Sequence, residues 1–125
     1  LGTPTAAPPR WMVNKYPDML ICDKEGTARK HGSRRQYCFS HRGYSEECER
    51  IVELLAKRYG QNPNVFAWQT DNEYGCHDTT ISYSNAAKVE FQKWLRRAYS
   101  FKSTCNEGDI EALNLAWGNV FWSRS

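Results

Sequence analysis

No run of this sequence is long and apolar enough to cross a membrane, and the mean hydropathy of −0.77 excludes the membrane-spanning class. A stripe of one charge is lacking too: 17 basic residues stand against 14 acidic ones, a net charge of +3, with the acids interspersed almost everywhere. The one basic gathering, Arg29-Lys30-His31 with Arg34-Arg35 and Tyr37 nearby, therefore fits a solvated loop better than a nucleic-acid surface. There is no Cys-x-x-Cys pair. The five cysteines (Cys22, Cys38, Cys48, Cys76, Cys105) are odd in number and irregularly spaced, which favours reduced thiols in a cytoplasmic protein over a disulfide framework. Internal repeats, low-complexity tracts and a secretory leader pattern are also missing. No methionine opens the chain. It starts at Leu1 and stops at Trp122-Ser123-Arg124-Ser125, and neither end reads as a natural terminus.

The 125 residues present amount to one domain's length. Residues 1–43 hold four of the five prolines together with Gly2, Gly26, Gly32 and Gly43, so a long loop-rich stretch is expected, and long loops in compact domains tend to carry function. Trp11, Lys15 and Tyr16 sit at helical spacing, which places a short helix within Trp11 to Leu20 before Pro17 interrupts it. Periodicity is firm from Glu46 to Tyr59, where Cys48, Ile51, Val52, Leu55 and Tyr59 form one apolar stripe. Ser45 suits the N-cap, and Gly60 suits a left-handed C-terminal stop.

The run Val65-Phe66-Ala67-Trp68 then reads as a buried strand. A second helix follows from Asn85 to Tyr99, its buried stripe made by Ala87, Phe91, Trp94, Leu95 and Ala98. A third, short helix is expected after Asp109 as N-cap, carrying Ile110, Leu113 and Ala116 to Gly118. Helix, tight turn, buried strand, loop and helix is the alternation of a parallel α/β architecture.

The strand ends abruptly in polar residues: Trp68-Gln69-Thr70-Asp71-Asn72-Glu73-Tyr74-Gly75. The C-terminal ends of strands are where an α/β barrel puts its chemistry. A carboxylate there suits the proton donor of a glycoside hydrolase, with the adjacent amide holding the sugar. A polar loop after a strand is the plain alternative, and Asn-Glu alone would not displace it.

Three further blocks keep that motif company. Gly2-Thr3-Pro4-Thr5-Ala6-Ala7-Pro8-Pro9-Arg10-Trp11, Gly32-Ser33-Arg34-Arg35-Gln36-Tyr37-Cys38 and Ala112-Leu113-Asn114-Leu115-Ala116-Trp117-Gly118 occur in order around it. Together the four blocks resemble β-galactosidases of glycoside hydrolase family 42 from Leu1 to Ser123. The resemblance implies a partial (β/α)8 TIM barrel around strands three and four, truncated at both ends, since a whole barrel needs about 250 residues. It also implies a retaining hydrolase of terminal β-galactosides. Glu73 matches the general acid/base, while the nucleophile glutamate of strand seven falls outside this chain. Asn72 matches the asparagine that bonds the sugar 2-hydroxyl. Arg34, favoured over Arg35, matches an arginine of the galactose site. Trp122, favoured over Trp117, aligns with a substrate-stacking tryptophan, although residues 100–108 look like an insertion.

Many members of that family carry a structural zinc held by four cysteines. Cys38 matches the first, but Ser82, Ser84 and Ala87 stand at the other three positions, so no metal is expected; Cys76 and His77 nearby do not complete a set of four donors. No cofactor, nucleic-acid partner or membrane partner is expected. The partner is a β-galactoside substrate, and the resemblance suggests a homo-trimer for intact enzymes. The rival readings are a non-catalytic carbohydrate-binding module and a fragment of another hydrolase of the same clan, which shares the Asn-Glu signature.

Overall fold

The computed structural model describes residues 1–99 and 110–119, in two compact units, Leu1–Ala87 and Lys88–Ser125. The first unit opens with a parallel pairing of the chain start with the segment after the first long helix. Leu1 N donates to Ala67 O, Gln69 N to Leu1 O and Thr3 N to Gln69 O, each at 2.9 Å, and the Gly2–Gln69 bridge is parallel. This is the expected strand, reduced to a short ladder. It is not buried. Phe66 is 99% exposed, because among the described residues only Leu1 to Thr3 lie alongside it.

Helix α1 (Arg10–Lys15) forms where the short helix was expected, and a 3-10 turn, Pro17–Met19, follows. The chain then runs back on itself. Ile21 N donates to Gln36 O and Cys38 N to Met19 O, around an antiparallel Leu20–Tyr37 bridge. Met12, Val13, Met19, Tyr37 and Tyr44 are buried together as the core, with Tyr37 and Tyr44 stacked at 4.4 Å between ring centroids.

Helix α2 (Arg42–Tyr59) starts earlier than Glu46. Its N-cap is His41, not Ser45: the His41 Nδ1 accepts from the Tyr44 amide at 3.1 Å. The extra turn exists because Gly43 lets the helix approach Tyr16 closely; a Cβ there would stand 2.7 Å from the ring. At the other end Gly60 is right-handed (φ −61°), not left-handed. The chain leaves instead through tight turns in which Asn62 N donates to Tyr59 O and Val65 N to Asn62 O.

Helix α3 (Asn85–Ala98) begins where expected, with the buried Ser84 hydroxyl accepting from Ala87 N at 3.3 Å. Its apolar stripe is exposed rather than buried, Phe91 at 51% and Trp94 at 49%, for want of a covering layer among the described residues. Helix α4 (Ile110–Trp117) ends in a glycine motif: Gly118 is left-handed (φ +71°), Gly118 N donates to Leu115 O and Asn119 N to Asn114 O. The proposed Asp109 cap and Cys105 lie outside the described residues.

Candidate active site

The buried pair Arg35–Asp71 organises the polar end of the first unit. Arg35 Nη1 lies 3.2 Å from Asp71 Oδ1 and 2.9 Å from the Tyr37 hydroxyl, and both charged side chains are almost wholly buried. Arg35 also lies over the rings of Tyr74 and Phe39, at 5.3 and 5.7 Å from the centroids. One nitrogen, Nη2, is buried without a partner. Burial and the carboxylate of Asp71 raise the Tyr37 hydroxyl above its ordinary value, keeping it a neutral donor.

Beyond Asp71 the backbone turns sharply. Asp71 and Glu73 both have positive φ, +99° and +49°, a region side-chain-bearing residues seldom adopt. Such outliers survive only where their surroundings hold them, and they cluster at functional sites. Asn72 is fixed from two sides: its amide nitrogen donates to Asp71 Oδ1 at 2.6 Å, and its Oδ1 accepts from Gln69 Nε2 at 3.1 Å.

Across from this turn lies the arginine loop, residues 32–36. Gln36, buried, braces it: Nε2 donates to Pro8 O and Oε1 accepts from the Gly32 amide. Arg29 ties the same loop to the later one, donating to Arg34 O at 3.1 Å and to His77 O. Arg34 thereby reaches Glu73, Nη1 to Oε2 at 3.0 Å, with both side chains open to solvent. Between the two loops is a cleft of about 370 Å³ whose lining includes Pro8, His31, Arg34, Arg35, Asn72 and Glu73. That volume is of the size small-molecule sites take.

The structure thus brings together three of the residues singled out from sequence: Arg34, Asn72 and Glu73. The fourth, Trp122, lies outside the described residues. Trp117 belongs to an aromatic group in the second unit, its indole donating to the Tyr99 hydroxyl at 3.0 Å. Sequence reading weighed Arg35 only as the rival of Arg34 and passed over Asp71 and Gln36 as site-builders. Arg35 and Asp71 lie 36 positions apart, and no local pattern announces their pairing.

A structural zinc does not fit the residues present. Cys38 is packed into the core at 2% exposure. Ser82 and Ser84 spend their hydroxyls on each other at 3.0 Å, and Ser84 Oγ also accepts from the first turn of α3. Hydroxyls and an alanine methyl do not replace three thiolates. Among the described residues no group of three or more histidine, cysteine or acidic side chains could hold a metal.

A family model described as β-galactosidase, of glycoside hydrolase family 42, matches residues 1–125. The chain is 52% identical over 124 residues to a β-galactosidase of Thermus thermophilus, covering 99% of itself and 18% of that protein. A crystal structure of the β-galactosidase from the psychrophilic Marinomonas ef1 superposes with a TM-score of 0.85 at 53% identity, over 99% of this chain and 18% of the other. The polyextremophilic β-galactosidase of the Antarctic haloarchaeon Halorubrum lacusprofundi gives 0.82 at 48% identity, over 100% and 18%. The parallel pair and its helices are accordingly part of a (β/α)8 barrel.

Proposed function

The chain belongs to the β-galactosidases of glycoside hydrolase family 42, and on that premise we propose that it supplies the proton-donor half of a retaining β-galactosidase active site. The observation that carries the reading is Glu73 at the end of the parallel segment, in the cleft with Asn72 and Arg34. The chain spans about a fifth of the length of the relatives it matches, so the activity belongs to the complete barrel.

In that barrel Glu73 protonates the leaving oxygen while a second carboxylate attacks the anomeric carbon. Glu73 then takes a proton from the water that releases galactose. Asn72 offers an amide to the 2-hydroxyl, a contact that strengthens as the ring flattens toward the oxocarbenium ion. Arg34 presents a fixed fork of donors to hydroxyls or to the attacking carboxylate. Arg35, which also lines the cleft, holds a buried Nη2 without a partner beside the exposed Arg34. Trp122 stacks on a sugar face. The substrate is a terminal β-D-galactoside, and no cofactor takes part. Truncation of the barrel at both ends, a cytoplasmic location and a trimeric intact enzyme belong to the same reading. No helix among the described residues is long and apolar enough to cross a membrane.

Azide trapping in the complete enzyme tests the assignment. With Glu73→Ala, azide occupies the vacated space, attacks the galactosyl-enzyme and yields β-galactosyl azide, accelerating turnover of a dinitrophenyl galactoside. If azide neither accelerates turnover nor appears in the product, Glu73 is not the acid/base.

A further inference from the structure

The residue before the Asn-Glu pair has no assigned role, yet one oxygen of its side chain takes three hydrogen bonds. Asp71 Oδ1 takes the Arg35 guanidinium at 3.2 Å, the Tyr37 hydroxyl at 3.4 Å and the Asn72 amide at 2.6 Å. Its own amide donates to Thr3 Oγ1 at 3.1 Å, tying it to the neighbouring segment of the parallel pair. The residue is 9% exposed and its φ is +99°, a conformation that needs outside support.

We propose that Asp71 is a positioning residue: its buried carboxylate, gripped by Arg35, fixes the Asn72 backbone and so aims the Glu73 carboxyl into the cleft. The proposal rests on the reading of Glu73 as proton donor. The lever is short. The bond to the Asn72 backbone amide acts on the Asp71–Asn72 peptide unit, one residue before Glu73. The grip of Arg35 acts on the residue next to Arg34, which itself meets Glu73 at 3.0 Å. One buried ion pair thus sets both sides of the cleft, the arginine loop and the strand end.

Without the carboxylate the +99° turn keeps only the bond from the Asp71 amide to the Thr3 hydroxyl, and Asp71's backbone would relax toward negative φ and carry Glu73 with it. A displacement of about 1 Å at a reacting group can cost on the order of 10²-fold in rate. That loss would fall on the step needing the proton. A fold-only role for Asp71 would slow every substrate alike.

The test uses the complete enzyme that carries this segment, with lactose and a dinitrophenyl β-galactoside as substrates. Thermal midpoints are recorded alongside kcat/KM. Asp71→Ala should lower kcat/KM for lactose on the order of 10²-fold and that for the dinitrophenyl galactoside no more than about threefold. Asp71→Asn, which keeps an acceptor for the Asn72 amide and avoids much of the folding cost, should show the same split at smaller size. Gly43→Ala, whose added methyl meets the Tyr16 ring and neither Asp71 nor Arg35, should lower the midpoint with no split between substrates. Glu73→Ala is the reference and should show the widest split. If Glu73→Ala splits the substrates and both Asp71 variants slow them equally, Asp71 holds the fold and not the acid. If Glu73→Ala itself shows no split, the proton-donor reading falls and the positioning role falls with it.

Discussion

Residues 1–44 and the helical remainder of the chain invert the usual relation between regularity and burial. Up to the start of α2 the first stretch contains one six-residue helix and a 3-10 turn, yet among the described residues it supplies Met12, Val13, Met19, Ile21, Tyr37 and Cys38, all the buried apolar side chains except Tyr44 in the first turn of α2. Helices α2 and α3 have the clearest periodicity, and their apolar stripes remain half-buried or open. A helix presents one stripe and needs a second layer to cover it. The irregular stretch folds back on itself and covers its own side chains, with backbone groups paired across the Leu20–Tyr37 bridge. Its self-sufficiency suits a site: the cleft is built on the part of the chain that brings its own support.

Three substitutions press on that contrast, in falling order of effect. Tyr37→Ala removes the fully buried ring stacked on Tyr44 and leaves Arg35 and Asp71 short of a partner; it should cost about 3–5 kcal/mol in a urea titration of the complete protein. A cost below 1 kcal/mol would mean the loop-rich core is not the stabilising element. Gly43→Ala drives a methyl into the Tyr16 ring and should cost about 1–3 kcal/mol, read as a lowered urea midpoint. Phe66→Ala should change the 125-residue polypeptide by no more than about 0.5 kcal/mol, because the ring is fully exposed there. In a complete barrel the same change should cost several times more. Equal, small effects in both settings would remove Phe66 from any barrel core.

The smallest effect depends on pH. Hydrogen bonds from Lys15 and Arg50 hold the Glu47 carboxyl below its ordinary value, and those to Tyr16 and Glu47 raise Lys15. A lowered carboxyl stabilises above its unfolded pKa, and the contribution fades as pH falls through the lower folded value. A raised lysine stabilises below its unfolded pKa and loses that contribution as pH rises through the folded one. The Lys15–Glu47 pair, 2.9 Å long and joining α1 to α2, should therefore help only between those limits. Glu47→Gln should lower the urea midpoint slightly at neutral pH and not at all once the carboxyl is protonated in acid. A gap that persists in acid would assign the effect to packing.

Much of this was legible in the sequence. The bodies of α2 and α3 follow from i, i+3, i+4 spacing. Glu73, Asn72 and Arg34, singled out from the motif blocks, line one cleft. What escaped was non-local. The core of residues 1–44 rests on contacts between positions with no common period, and the Arg35–Asp71 clamp spans two loops. The N-terminus of α2 was missed because a histidine caps it through its ring nitrogen, and the turn at Gly60 because tight turns, not a left-handed glycine, end the helix. The covered strand was misjudged for a simpler reason: an apolar run states that burial is wanted, not that the covering layer lies in the same 125 residues.

The central claim is that the self-supported cleft presents Glu73 as a proton donor, and its most direct test is the leaving-group dependence of kcat/KM for Glu73→Ala in the complete enzyme. Aryl β-galactosides spanning acidic to weakly acidic phenols should react at rates that depend only weakly on the phenol in the parent enzyme. In Glu73→Ala the rate should fall steeply as the phenol becomes less acidic, reaching a deficit of about 10²- to 10⁴-fold for the poorest leaving groups and little for dinitrophenol. A variant slowed by the same factor across the whole series would contradict the assignment.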